Sequence, residues 1–173
     1  MEYQARTALS AQRLGHAPRG DVHTGLRGQA VGDEAMDVEA VNKQLSAAVS
    51  QQLGSLVSLT LLAGNLQGPL SLNLKDRLQA YAVAEVADTQ LLVEKLAAVG
   101  GQLSPMEAPP VPSTDAGTAL REFLEREEQV MATLHAVIPS TGQEPRSEAL
   151  EHLIEHVLMR KQQQVDYLSL ALG

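Results

Sequence analysis

The sequence contains no cysteine and no tryptophan, one phenylalanine and three tyrosines. Without cysteine there is no disulfide, no thiolate metal site and no cysteine nucleophile. That composition is compatible with a reducing compartment, and a cytoplasmic protein is expected. Aromatics make up 2% of the chain against 44% hydrophobic residues, so the core must be built of Leu, Ala and Val. Such a core suits helices packed closely on helices rather than a sandwich. Charge is also missing, from Gln44 to Leu74. This run holds Ser46, Ser50, Gln51, Gln52, Gly54, Ser55, Ser58 and Thr60. Its most apolar part, Leu53–Ala63, is too short to cross a bilayer. The run is therefore expected to be a buried or interfacial helix, with no membrane partner. The N-terminus lacks the apolar core of a signal peptide. Gly-x-Gly, Walker and Ser-His-Asp signatures are absent as well.

What is present is 173 residues with a net charge of −8, enough for one domain with a sizeable core. Residues 1–35 carry four acids and four arginines, so the acidic excess lies in residues 36–173. An acidic body argues against clamping nucleic acid by counterion release. It suits attraction of metal cations, or simply a soluble surface.

Residues 1–35 have five glycines from Gly15 to Gly32, plus Pro18, and no sustained period. They are expected to form a flexible N-terminal tail. Through Gly32 the tail is mildly basic, with Arg6, Arg13, Arg19 and Arg27 against Glu2 and Asp21. Any contact with nucleic acid is expected to be weak and to run through it. Met36 stands just before the first strong helix and is an alternative natural start.

Residues 36–173 show four helical segments. The first runs from about Asp37 to Gly64, with Val41, Leu45, Val49, Leu53, Leu56 and Leu59 at helical spacing. Asp37 is its expected N-cap. The break "NLQGPLSLN" follows, and the second helix runs from about Leu74 to Val99, stopped by Gly100–Gly101. Next comes "QLSPMEAPPVPSTD", with four prolines. It cannot be helical and is long enough to travel the length of a bundle. The third helix runs from about Asp115 or Ala116 to Val137, ended by Pro139. The fourth starts after Pro145 and runs to the terminus. Two hairpins joined by a long crossover fit an all-α, ferritin-like four-helix bundle.

Stepping along each helix by three and four gives apolar stripes with polar exceptions near their middles. The second helix offers Leu78, Tyr81, Glu85, Asp88 and Leu92. The third offers Leu124, Glu127 and Met131. The fourth offers Val157, Lys161, Gln164 and Leu168. The first offers Ala48, Gln52, Ser55 and Leu59. Three carboxylates and one ammonium thus converge on one bundle centre. Ionisable groups are rarely buried without partners. Three close carboxylates need a metal or Lys161, and one acid should protonate or reach water.

Two stretches resemble the ferritin-like superfamily, in its bacterioferritin and Dps-related branch, over roughly residues 37–172. "AEVADTQLLVEKLAAVGGQLSP" is similar to that family's second helix, where Glu-x-x-His precedes an apolar run and a Gly-Gly ending. "RKQQQVDYL" is similar to its fourth, where Glu-x-x-His precedes Val-Asp-Trp-Leu. In the family a Glu from each of two helices and a Glu-x-x-His from each of the others hold two metal ions. The resemblance implies a degenerate site here. Glu85 and Glu127 match ligand glutamates, and Asp88 stands at a histidine position. Lys161 replaces the fourth-helix Glu and Gln164 its His. Ala48 or a neighbour takes the place of the first-helix acid. Glu85, Asp88 and Glu127 remain as a residual metal set. No cofactor is expected, with iron or manganese as the alternative. Gln52, Glu85, Asp88, Glu127, Lys161 and Gln164 are the expected buried polar cluster. In it Lys161 substitutes electrostatically for the metal and Gln164 completes hydrogen bonds.

Other candidates are weaker. His152 and His156 at i, i+4 could hold a metal, but lie roughly 110–150° from the fourth-helix stripe and should face solvent. Met131 and Met159 could suggest haem between subunits, but the matching second-helix position is not convincingly Met and haem is not expected. Three functions follow. The first is a non-catalytic binding or assembly protein. The second is an iron- or manganese-binding protein with ferroxidase, storage or peroxide-protective activity. The third is a Dps-like DNA-protecting shell. A homo-oligomer is expected, with the first two helices at its interface. The chain as given stops at Gly173 without the fifth helix of bacterioferritins, which points to a dimer or 12-subunit shell rather than a 24-subunit cage.

Overall fold

The structure is a computed structural model that describes residues 35–173. The expected flexible tail, its arginines and any DNA contact through it lie outside the described residues, apart from Ala35. Four helices make up the bundle: α1 (Val38–Asn65), α2 (Pro69–Ala98), α3 (Ala116–His135) and α4 (Pro145–Leu172). A short 3-10 turn, Ile138–Ser140, links α3 to α4, and no strand occurs among the described residues.

Local chemistry sets the ends. Asp37 caps α1 as expected, its side chain accepting the Ala40 N–H at 3.0 Å. Asp115 caps α3 in the same way through Thr118 N–H at 2.8 Å. The Thr118 side chain first, and its backbone N–H second, hold the Asp115 carboxyl below the usual value. The second helix starts five residues earlier than expected, at Pro69 instead of Leu74. Proline is tolerated in the first helical turn, where its missing N–H has no partner to lose. The break is therefore shorter than "NLQGPLSLN" suggests. At the other end of α2, Gly100 takes φ +80°. Gly101 donates its N–H to Leu96 O at 2.9 Å, closing the helix in the expected glycine stop.

The core comes in two parts. One joins Val41, Leu45 and Val49 of α1 with Leu92, Leu96, Val130, Leu134, Leu150 and Ile154. The other joins Leu59, Leu62 and Leu66 with Leu74, Leu78, Leu120, Phe123 and Leu168. The start of α1 thus meets the end of α2, the end of α3 and the start of α4. So α1 and α4 run one way, and α2 and α3 the other. That arrangement requires the crossover, residues 99–115, to climb the bundle.

Serines fasten it to α1. Ser46 Oγ donates to Gln102 O at 2.6 Å and accepts the Ser104 N–H at 2.9 Å. Ser50 Oγ donates to Ser104 O at 2.7 Å. Ser46 and Ser50, two of the small polar residues of the uncharged run, thus meet the crossover. By length and composition α1 could cross a membrane, more so than Leu53–Ala63 alone suggested. In the bundle half of its most apolar window is buried, as a core helix requires.

Candidate functional site

A polar layer separates the two apolar clusters. It is built from one stripe residue of each helix: Ser55 on α1, Glu85 on α2, Glu127 on α3 and Lys161 on α4. All are at most 5% exposed. Lys161 Nζ donates to Glu127 Oε2 at 2.6 Å, Glu85 Oε1 at 2.9 Å and Ser55 Oγ at 3.0 Å. An ammonium has three hydrogens, and all three are used. Burial disfavours the charge on Lys161, but attraction to Glu85 and Glu127 outweighs it and holds its pKa above the ordinary lysine value.

Ser55 completes the layer. Its hydroxyl bonds Glu127 Oε1 and lies 3.2 Å from Glu85 Oε2. A serine hydroxyl has one hydrogen and cannot donate to both carboxyls. With that hydrogen on Glu127, a proton on Glu85 satisfies the second contact, and Lys161 and Glu127 balance each other. The electrostatics agree. Burial pushes the Glu85 carboxyl up, Lys161 pulls it down, Glu127 pushes it up again, and the balance lies above the usual value.

This assignment separates the two glutamates experimentally. A group with a raised folded pKa contributes stability that is full below its unfolded value, about 4.3 for Glu, and lost as pH rises through the folded value. Glu85→Gln mimics the protonated acid. It should match the native protein near pH ~4 and gain on it towards pH ~8. Glu127→Gln removes the lysine's counter-charge and should cost about 1.5–3 kcal/mol at neutral pH. Urea unfolding of both variants checks this; equal losses for the two would place the proton elsewhere.

The expected cluster is partly redistributed. Asp88 is buried but does not meet Lys161. Its Oδ1 accepts from Arg160 Nη1 at 3.1 Å. This second cation, together with the proton on Glu85, answers the charge excess that three acids and one lysine posed. Gln164 is 3% exposed, yet its Nε2 has no partner, so it does not complete the bonds expected of it. Gln52 is wholly buried, with neither amide atom paired. Ala48 lies in the apolar cluster of Leu45 and Leu92, and Ser55, roughly two turns on, takes the α1 place in the layer. Ser55 stood on the apolar stripe as a visible polar exception but is small and uncharged. Arg160 left no stripe signal. His152 and His156 are exposed, as expected, with His152 Nδ1 3.3 Å from Glu155. Among the described residues no group of three His, Asp or Glu is placed to hold a metal.

No family model matches the chain, and no curated protein matches its sequence. Solved structures do match. One is described as ferritin like, diiron-carboxylate proteins from Bacillus anthracis str. Ames, at 14% identity and TM-score 0.71, over 79% of this chain and 98% of that one. Another is a dodecameric thioferritin, the bacterioferritin-related protein from Bacteroides fragilis, at 15% identity and TM-score 0.69, over 79% and 86%. The fold is ferritin-like.

Within this ferritin-like bundle, clefts flank the polar layer on two sides. One, of about 350 Å³, opens on Glu85, Asp88, Lys161 and Gln164 between α2 and α4. The other, of about 510 Å³, reaches Ser55 and Ser58 beneath the crossover prolines. The bundle's centre is thus polar, charge-balanced by its own side chains and approachable from two directions.

Proposed function

We propose that this ferritin-like protein works without a di-metal centre, as a non-catalytic binding or assembly protein. One observation carries the proposal: Lys161 Nζ bonds both Glu85 and Glu127. A divalent ion at that place would need those oxygens and would stand against a fixed ammonium. Asp88, the third residual acid, is held by Arg160. The side chains present therefore do not fit a di-metal centre. Binding of iron or manganese, with ferroxidase, storage or peroxide-protective activity, would require Lys161 to leave its three partners. The Dps-like reading rests on the basic tail.

Assembly with further copies of the chain is part of the same proposal. It is supported by exposed apolar residues on α2, with Leu72 at 84%, Val83 at 73% and Val86 at 52% exposure. Isolated exposed apolar residues are ordinary; several along one helix suit an interface. A cytoplasmic setting is part of the same proposal, and a chain without cysteine is compatible with a reducing compartment.

Elemental analysis combined with native mass tests both parts. Protein free of stoichiometric iron and manganese, in a dimer or larger closed oligomer, is expected. Copurifying stoichiometric metal would overturn the metal-free reading. Light scattering at micromolar concentration that finds only an 18.5 kDa species would overturn the assembly.

A further inference from the structure

We propose that the cleft between α2 and α4 binds a small oxyanion-bearing ligand, a carboxylate or a phosphate, whose head is held by Arg77 and Gln164. The proposal deepens the metal-free reading and rests on it, because Lys161 in its buried place is what engages Glu85.

The cleft has a volume of about 350 Å³, and its walls include Arg77, Tyr81, Asp88, Arg160 and Gln164. That is room for a small molecule. Most of its charges are already matched. Glu85 accepts from Lys161, whose N–H groups are all used. Asp88 accepts from Arg160. Arg77 is different: among the described residues no carboxylate pairs with it. Its guanidinium carbon sits 4.9 Å from the centroid of the Tyr167 ring and 5.7 Å from that of Tyr81. The two rings meet edge to face at 6.1 Å. Aromatic faces hold a guanidinium plane while leaving its N–H edge free, and that planar fork matches an oxyanion.

Gln164 supplies the second donor. It lines the same cleft and is 3% exposed. Its Nε2 has no acceptor. A buried amide N–H₂ without an acceptor is destabilising, and an oxyanion in the cleft would remove that cost. A cation and an unsatisfied donor thus line one cleft in which both acidic side chains are engaged. That combination selects an anion over a cation or an apolar guest. Tyr81, which lines the same cleft, favours a ligand with a flat apolar body behind its charged head.

The test uses the full chain, with its metal content measured first. Sodium benzoate and inorganic phosphate are titrated separately by calorimetry. Saturable binding of benzoate in preference to phosphate assigns a carboxylate ligand; the reverse preference assigns a phosphate. Arg77→Gln and Gln164→Leu should each weaken the preferred probe, Arg77→Gln by roughly tenfold or more, as loss of a charge-assisted bond does. If Arg77→Gln fails to fold, Arg77→Lys keeps the charge, loses the fork and serves in its place. The cleft assignment is overturned if metal-free protein saturates with neither probe by about 10 mM, or if both variants bind as the native chain does. Neither result touches the metal-free reading, which falls only if stoichiometric metal is found.

Discussion

Lys161→Met should lose about 3–5 kcal/mol of stability at neutral pH, the usual cost of breaking a buried ion pair from one side. For a bundle of this size that lowers the thermal midpoint by roughly 10–20 °C. Methionine replaces much of the lysine's length, so lost packing contributes little. The loss comes from Glu85 and Glu127, which would share one serine hydroxyl and no cation. A buried carboxylate without its cation is disfavoured against the neutral acid, so the loss is largest where carboxylates carry their charge. The deficit of the variant should shrink towards pH ~4, where buried negative charge no longer has to be compensated. In the native protein the sign at the other extreme is set by the lysine. Its raised pKa gives stability that is full below about pH 10.4 and lost as pH climbs through the folded value. Denaturant unfolding of both proteins across this range is the measurement. A variant as stable as the native protein at pH ~7 would mean that Lys161 does not occupy the layer.

The double change Lys161→Glu with Gln164→His should turn the layer into a metal site. It replaces the ammonium with a third carboxylate on the same stripe and adds an imidazole one turn along. Without metal, three buried carboxylates repel, and the variant should be less stable than the native chain at neutral pH. Manganous ion should restore that loss by mass action, since it binds the folded form through ligands that the unfolded chain does not assemble. Thermal midpoints with and without manganese, beside metal retained after gel filtration, read both effects. A variant that gains neither metal nor midpoint would show that α1, which offers the layer Ser55 and no acid, leaves the site too poor in carboxylate.

Much of this was legible because the physics was periodic. Leucines and valines at three- and four-residue steps located all four helices, and the prolines of residues 102–115 located the crossover. The same stepping exposed Glu85, Glu127 and Lys161 as polar interruptions, and they do meet. Asp88 was assigned to the same partner because it shares a stripe with Glu85. Its shorter side chain ends on Arg160 instead. Arg160 is rotated from Lys161 by about 100° on α4, a position that stepping along the stripe passes over. The start of α2 was missed because Gly68-Pro69 reads as a turn, although proline is equally suited to a first helical turn. Gln52 and Gln164 were correctly placed in the interior, but periodicity says nothing about whether a buried amide finds a partner.

The division of the core by one charged layer has a consequence for alignment. Leu, Ala and Val stripes are nearly self-similar, so a bundle made of them alone could slip by a turn, about 5.4 Å, and still bury its apolar side chains. Here such a slip of α4 would drive an ammonium among leucines, and a slip of α2 or α3 would do the same to a carboxyl. Ser55, Glu85, Glu127 and Lys161 act together as a vernier mark across the four helices, which penalises every register but one.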